Sequence, residues 1–196
     1  MVSAIVLSAG SSNRMGTPKG LLKIGDKTFL RHIVDVLHSS RVLDVAIVLG
    51  SGAETIEQTL DWFDGKIVTN EEWERGQLSS IIAGLGVLEQ KDLHGVMICP
   101  VDRPFISQSL IVDLLQAFWK SKKKIIVPVY GGQRGHPVIF SIELFEELRN
   151  APLDIGARAV VHAHPEELCE VRTDEEGITI NIDTPEDYDK YIVHQV

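Results

Sequence analysis

Two cations and a run of small residues stand close together near the start of the chain. Arg14 and Lys19 follow a stretch in which serine, alanine and glycine predominate. Small side chains let a ligand approach the backbone, and successive N–H groups of such a loop can form a concave anion site. The loop therefore suits a polyphosphate. The residues predicted to bind it are Leu7, Ser8, Ala9, Gly10, Ser11, Ser12, Arg14 and Lys19.

The spacing of the glycines excludes two familiar phosphate-binding loops. The Walker pattern requires a glycine, four residues and then Gly-Lys-Ser/Thr. Here five residues separate Gly10 from Gly16, and Thr17-Pro18 follow. The dinucleotide pattern requires a second glycine two residues after the first, but position 12 is serine. An ordinary glycine-rich turn is the simpler alternative, and the two cations at this spacing argue against it.

Polar residues also follow three other apolar runs. Asn70, Asp102 and Asp183 each come at or just after the end of such a run, and Asp102 lies between Pro100 and Pro104. In open α/β sheets, ligands bind outside the carboxyl ends of the strands. A carboxylate in a rigid turn suits Mg²⁺, which takes one or two protein carboxylates, and Asp183 would be the second. The alternatives are a turn residue for Asp102 and a helix N-cap for Asp183.

The elements that must position these residues alternate along the chain. Short apolar runs alternate with segments whose apolar residues recur at helical spacing, which predicts a parallel sheet covered by helices on both faces, with right-handed crossovers. The predicted strands are 2–7, 42–49, 66–69, 95–99, 124–129, 136–141, 168–172 and 178–182, with a short extended piece at 21–27. The predicted helices are 28–37, 53–62, 78–88, 107–118, 143–149, 154–162 and one that begins at 183–187.

The charge balance narrows the classes of partner. The formal net charge is −9 over 196 residues, so we expect neither nucleic acid nor a membrane surface as a partner. The opening residues lack the pattern of a signal peptide, and no apolar run approaches the ~18 residues of a membrane span. The two cysteines, Cys99 and Cys169, lie far apart and are expected to be free thiols of a cytoplasmic protein.

Several segments together resemble a known family. The first loop reads Leu-x-Ala-Gly-x-Ser-x-Arg-Met-Gly-x-x-Lys, and it resembles the signature loop of the nucleotidyltransferases that join a nucleotide to molybdopterin. Further segments of the same family appear in the same order. They are Asn70 to Ser80 with Trp73 and Gly76, Asp102-Arg103-Pro104, Arg134-Gly135-His136-Pro137, Gly156-Ala157-Arg158 and Asp183 to Asp187.

This resemblance implies both a fold and an organisation of the chain. The expected fold is a single Rossmann-like three-layer α/β/α domain with a mostly parallel sheet, of the nucleotidyltransferase (glycosyltransferase-A-like) type. The domain would span residues 1–196, with a nucleotide-binding half at 1–105 and an acceptor-binding half at 106–196. No linker rich in proline, glycine or serine divides the two halves.

The resemblance also implies a reaction. An oxygen of the acceptor phosphate would attack the α-phosphorus of a nucleoside triphosphate, and pyrophosphate would leave. Mg²⁺ would be held by Asp102 and Asp183, and Arg14, Lys19 and the loop amides would hold the leaving phosphates. We therefore expect Lys19, Arg14 and Asp102 to be catalytic.

Base and acceptor contacts are implied in the same way. Ser8 and Ala9 would line the base pocket, while Asn70 and Ser79 or Ser80 would contact base or ribose. Ala9 before Gly10 is similar to the cytidylyltransferase branch, which favours CTP. Gly20 after Lys19 is similar to some guanylyl-type members, so GTP stays the alternative. The candidates for binding the acceptor, expected to be molybdopterin, are Arg134, His136 and Arg158.

Other interpretations of the same residues stay open. A histidine before proline at a strand edge, such as His136, is also common in a purely structural role. The first loop alone is equally compatible with a sugar-phosphate or polyol-phosphate nucleotidyltransferase. A third hypothesis is a binding protein that holds nucleotide or cofactor without turnover. Delivery of the product to a molybdoenzyme is a further partnership that the resemblance implies.

Overall fold

The computed structural model describes residues 1–88 and 92–193, and a mixed sheet forms its centre. The strands are β1 (Val2–Ser8), β2 (Lys23–Ile24), β3 (Lys27–Thr28), β4 (Val45–Leu49), β5 (Lys66–Thr69), β6 (Gly95–Pro100), β7 (Ile125–Tyr130), β8 (Gln133–Arg134), β9 (Val138–Ser141) and β10 (Leu168–Arg172). The helices are α1 (Phe29–Ser39), α2 (Ala53–Glu57), α3 (Gln77–Leu88), α4 (Gln108–Ser121), α5 (Phe145–Asn150), α6 (Arg158–Ala163) and α7 (Pro185–Tyr191).

The order of the strands brings several chain segments to one edge. The sheet runs β10-β7-β9-β6-β1-β4-β5, with β8 paired to β7 and a separate β2-β3 hairpin. β1 is parallel to both β4 and β6, and β4 is parallel to β5, whereas β9 is antiparallel to its two neighbours. The carboxyl ends of β1, β4, β5 and β6 therefore meet at the same edge. The predicted α/β fold with a mostly parallel sheet is confirmed.

Alternating residues of β1 show how the three layers form. Ala4 and Val6 belong to a core on one face of the sheet, and Ile5 and Leu7 belong to a core on the other. α1 and α4 cover the first face, while α3, α5 and α6 cover the second. Side chains of a strand point alternately to opposite faces, so a wholly apolar strand needs helices on both sides. No helix in the described ranges combines the length and the apolar character that crossing a membrane requires.

The predicted helix 53–62 is shorter than expected. α2 ends at Glu57, and both the amide and the hydroxyl of Thr59 donate to the carbonyl of Ile56, at 2.9 and 2.7 Å. This local bonding replaces the next helical turn. Leu60 and Phe63, which follow α2, are nevertheless buried. The helical spacing of apolar residues in this segment therefore reflects burial of turns and not a longer helix.

The predicted strand 178–182 is wrong. Residues Glu176–Thr179 form a 3-10 turn, and the chain after it is irregular. Ile178 and Ile182 are almost completely buried, which explains the apolar pattern. Their backbone groups bond to other loops, because the Ile178 carbonyl accepts from the His136 amide and the Ile182 amide donates to the Asp102 carbonyl.

Candidate active site

The loop after β1 closes on itself around Ser12. The amides of Met15 and Gly16 both donate to the Ser12 carbonyl, at 3.0 and 3.1 Å. The Ser12 hydroxyl accepts from the Lys19 amide at 3.0 Å. Gly16 has φ +67, a left-handed conformation that glycine adopts without strain. The loop therefore returns Lys19 to the edge of the sheet where β1 ends.

The Lys19 side chain lies between two carboxylates. Its ammonium group donates to Oδ1 of Asp183 and lies 3.5 Å from Oδ2 of Asp102. The Lys19 side chain is 14% exposed, whereas those of Asp102 and Asp183 are 29% and 28% exposed. Arg14 reaches the other oxygen of Asp183 at 3.5 Å, and the Asn181 amide donates to that same oxygen at 2.5 Å. The two predicted metal ligands are thus close enough to share one cation.

Asp183 reaches this position without the strand that was predicted before it. The Ile182 amide donates to the Asp102 carbonyl at 2.8 Å, which fixes Asp183 beside Asp102. The N-cap of α7 is Thr184, in a capping box with Asp187. Asp183 is therefore not the N-cap, and its carboxylate faces the two cations.

Burial raises the pKa of Asp102 above the usual value for an aspartate. Lys19 and Arg103 act in the opposite direction, and the nearby Asp183 raises the pKa further. A carboxylate that is partly desolvated and lies next to a second carboxylate gains from a bound cation. In the described ranges, no three His, Cys, Asp or Glu side chains gather as a metal cluster. Two carboxylates fit Mg²⁺, whose remaining ligands come from phosphate and water.

These groups open into a first cleft of about 620 Å³. The predicted residues that line it are Leu7, Ser8, Ala9, Gly10, Ser11, Ser12, Arg14, Lys19, Ser80, Asp102 and Asp183. Sequence reasoning missed further lining residues, among them Ser51, Trp73, Glu74, Gly76 and Gln77. Trp73 and Gly76 stand inside the Asn70 to Ser80 segment that carries the family resemblance, so a signal for them was present. Ser51 carried no such signal.

Asn70 and Ser79 do not line the first cleft. Asn70 is buried, and its amide donates to the hydroxyls of Ser79 and Ser80 at 2.8 and 3.0 Å. Ser79 in turn donates to carbonyls of the same segment, those of Glu72 and Gly76. Their hydrogen bonds are satisfied within the protein, so the two residues shape the segment that carries Trp73 and Gln77.

A second cleft of about 580 Å³ adjoins the first. Gly76 and Gln77 line both clefts. The three predicted acceptor residues Arg134, His136 and Arg158 all line the second cleft. Arg134 is engaged there, because its Nε atom donates to Glu170 at 2.8 Å and both side chains are about half exposed.

His136 is a neutral imidazole in this cleft. Burial, together with the positive charges of Arg103 and Arg158, lowers the pKa of His136 to about 4. Its Nδ1 atom is buried and has no hydrogen-bond partner among the described residues. A ligand that enters the second cleft could supply that partner.

Comparisons with known proteins point to one family of nucleotidyltransferase domains. The model of the MobA-like NTP transferase domain matches residues 4–168. A probable molybdenum cofactor guanylyltransferase from Natranaerobius thermophilus is 30% identical over 133 residues, which cover 67% of this chain and 62% of that relative. This chain thus matches less than two thirds of that protein's length.

Two further similarities extend over nearly the whole chain. Nicotine blue oxidoreductase from Paenarthrobacter nicotinovorans is 25% identical over 194 residues, covering 94% of this chain and 93% of that protein. The crystal structure of Rv0371c from Mycobacterium tuberculosis superposes with a TM-score of 0.86 at 26% identity. That superposition covers 98% of this chain and 97% of the other.

Proposed function

Because the chain belongs to the family of MobA-like NTP transferase domains, we propose that it transfers cytidine monophosphate from CTP to the phosphate of molybdopterin. Family membership gives the chain an NTP transferase domain, and the proposal is the reaction that this chain catalyses and its choice of substrates. The observation that carries it is the position of Lys19, held by Asp102 and Asp183 in the wall of the first cleft.

The reaction requires a nucleophile, a leaving group and neutralisation of charge. An oxygen of the acceptor phosphate attacks the α-phosphorus, and the bond from that phosphorus to the oxygen bridging to the β-phosphorus breaks. Pyrophosphate leaves with this oxygen and its electron pair, and a diphosphate links the nucleoside to the acceptor. Such transfers depend on positioning and electrostatic stabilisation more than on covalent catalysis. In this reaction Lys19, Arg14 and the loop amides would hold the leaving phosphates.

We assign Mg²⁺ to Asp102 and Asp183 as the cofactor of this reaction. Both side chains offer hard oxygen ligands, and both already contact one cationic group, the Lys19 ammonium. When bound, the metal would neutralise charge on the phosphates between which the new bond forms. Lys19 would then turn from the carboxylates towards the phosphates.

The choice of CTP rests on Ala9. Its carbonyl accepts from the Ser51 amide at 3.0 Å, so its methyl group and amide are what remain for the base. The methyl lies beside Gly50, where an added Cβ would come within 2.8 Å of it. A second glycine at position 9 would leave more room for a purine. The relative from Natranaerobius thermophilus is named a guanylyltransferase, so GTP is the competing substrate.

The acceptor would occupy the second cleft. That cleft is lined by residues from both the 1–105 and the 106–196 parts of the chain, including Arg134, His136 and Arg158. The first cleft takes nearly all of its lining from residues 7–102, with Asp183 added. This distribution supports a nucleotide-binding half and an acceptor-binding half.

The two free thiols, Cys99 and Cys169, support a reducing, cytoplasmic location for the reaction.

One experiment tests transfer and the nature of the acceptor together. The protein is incubated with Mg²⁺, each of the four nucleoside triphosphates and either molybdopterin, a sugar phosphate or a polyol phosphate, and released pyrophosphate is measured. We expect pyrophosphate only with molybdopterin, and fastest with CTP. Asp102→Asn should abolish release, and Asp113→Asn, an exposed change on α4, is the matched control.

Other outcomes would each replace the proposal. Release with a sugar or polyol phosphate would assign a different acceptor. Binding of nucleotide without release for any acceptor would indicate a binding protein. If the protein consumed NADH with nicotine blue and released no pyrophosphate, it would have the activity that the name of its relative from Paenarthrobacter nicotinovorans states. The carboxylate pair around Lys19 favours phosphoryl chemistry over hydride transfer, because hydride transfer has no need of a divalent cation there.

A further inference from the structure

Asp102 and Arg103 are adjacent in the chain but face different clefts. Asp102 lines the first cleft and Arg103 lines the second. Both lie in the turn that follows β6, which is closed by a hydrogen bond from the Arg103 amide to the Pro100 carbonyl at 3.1 Å. A ligand group at Arg103 would therefore lie close to whatever Asp102 holds.

The Arg103 side chain is anchored at the wall of the second cleft. Its Nη1 atom donates to the Ile178 carbonyl at 3.2 Å, and the His136 amide donates to the same carbonyl at 3.1 Å. Gly135 permits this approach, because a Cβ there would lie 2.4 Å from the Ile178 oxygen. One of the five guanidinium donors is thus engaged by the backbone, and no residue in the described ranges accepts a hydrogen bond from the others.

The three arginines of the second cleft differ in how their charge is neutralised. Arg134 forms an ion pair with Glu170. In the part of the chain that the structure describes, no carboxylate forms an ion pair with Arg103 or Arg158. Both of these arginines lower the pKa of His136, so their charges act on the same place. An anion in the second cleft would meet two unpaired guanidinium groups there.

We propose that Arg103, rather than Arg134, binds the phosphate of the acceptor, with Arg158 as its second cationic contact, an assignment that rests on the proposed function. Guanidinium groups bind phosphate through two parallel hydrogen bonds. A phosphate fixed at Arg103 lies next to Asp102, where its free oxygen can approach the α-phosphorus. His136 lines the same cleft, and its buried Nδ1 atom has no hydrogen-bond partner among the described residues. The ligand class is a phosphate monoester.

The direct test uses phenyl phosphate as the probe and calorimetry as the measurement, with and without CTP filling the first cleft. We expect Arg103→Gln and Arg158→Gln each to weaken its binding at least about tenfold, since a charged, bidentate contact is lost. Arg134→Gln should weaken binding less than about threefold, because Glu170 already neutralises that guanidinium. Arg172→Gln, on the exposed face of β10, should leave binding unchanged.

The choice of glutamine separates ligand binding from a structural role. In Arg103→Gln the Ile178 carbonyl still accepts from the His136 amide, so a purely structural arginine would be replaced without loss of phenyl phosphate binding. Arg103→Lys keeps the charge and loses the bidentate contact, so its loss should lie between wild type and Arg103→Gln. If Arg103→Gln does not fold, Arg103→Lys and Arg158→Gln still decide the assignment. Unchanged binding in the folded Arg103 variants, or a larger loss in Arg134→Gln, would overturn it.

Turnover separates this assignment from the proposed function. With an active acceptor, Arg103→Gln should raise the acceptor KM by about tenfold or more and leave the nucleotide KM unchanged. An unchanged acceptor KM with normal pyrophosphate release would refute the role of Arg103 and leave the transferase proposal intact. Phenyl phosphate binding that depends on Arg103, with no release from any acceptor, would refute the transferase proposal and leave the anion site.

Discussion

The two clefts share Gly76 and Gln77 in their walls but differ in whether their positively charged side chains have carboxylate partners. In the first cleft, the ammonium of Lys19 is already compensated by Asp102 and Asp183. In the second, Arg103 and Arg158 have no carboxylate partner within the described ranges, and His136 is neutral. The first cleft can exchange one cation for another around fixed carboxylates. The second has positive charge at Arg103 and Arg158 that an anionic ligand would compensate, and Asp154, which also lines it, forms no ion pair with either arginine in the part of the chain that the structure describes.

This difference predicts different consequences of mutation. Groups around the carboxylate pair act on the atoms whose charge changes during transfer, so their loss should lower kcat. Groups in the second cleft would hold the acceptor phosphate from the moment the acceptor binds, before its oxygen attacks. Their loss should raise the acceptor KM. The following changes test that division.

Asp102→Asn should have the largest effect. We expect kcat to fall by about 10³-fold or more, as for the loss of a key electrostatic group. Stability should not fall, because burial raises the pKa of Asp102 and a neutral side chain avoids the cost of burying the charged form. Pyrophosphate release and thermal unfolding measure the two effects. A destabilisation of several kcal/mol, comparable to that of a core truncation, would show that Asp102 is structural.

Lys19→Ala should weaken binding of the triphosphate by about 10- to 100-fold, in line with the loss of one charged hydrogen-bonded contact. The monophosphate should lose much less, because Lys19 lies beyond the glycine loop where the terminal phosphates are expected. Arg14→Ala should have a smaller effect, since the Arg14 side chain is 68% exposed. Calorimetry with both nucleotides measures this, and Lys23→Ala, at an exposed position, is the control. Equal losses for both nucleotides would contradict the assignment.

His136 should make stability depend on pH. The pKa of His136 is lowered to about 4 in the folded protein, from 6.5. Between these values the unfolded state binds the extra proton, so stability is lost as the pH falls through this window. From pH 7.5 to pH 5 the loss attributable to His136 should reach about 2 kcal/mol.

Urea unfolding at the two pH values measures the contribution of His136. His136→Gln should show a smaller loss than wild type. His32, whose pKa burial also lowers, is present in both proteins and serves as an internal control. Identical pH dependence in the two proteins would show that the folded protein protonates His136 normally.

Ala9→Gly should have the smallest effect. We expect wild type to prefer CTP over GTP, and the glycine variant to lose part of this preference, by less than about tenfold, because a methyl-sized difference is worth about 1–3 kcal/mol at most. We expect a difference at the low end of this energy range, because Ala9 is only 6% exposed and its methyl lies near Gly50. Competition between the two nucleotides measures it. Equal turnover of CTP and GTP by wild type would remove base selection from Ala9.

Local sequence patterns predicted the fold well where one strand or one cap determines the element. The wholly apolar run before Ser8 is β1, and Thr28 and Ser107 cap α1 and α4 as expected. The patterns failed where apolar residues are buried by loops. Helix 53–62 ends early, and 178–182 is not a strand, because isoleucine and leucine are buried in either conformation.

The sequence by itself determined the chemical groups of the first loop, because their spacing is local and the loop closes through its own backbone at Ser12. It could not decide which distant groups meet. Asp183 lies beside Lys19 only because the Ile182 amide bonds to Asp102, and Asn70 faces inward only because two serines accept its amide. Whether Arg103 or Arg134 keeps a free charge was decided by Glu170 on β10. Such pairings join residues far apart in the chain, and only the packing of the sheet brings them within hydrogen-bond distance.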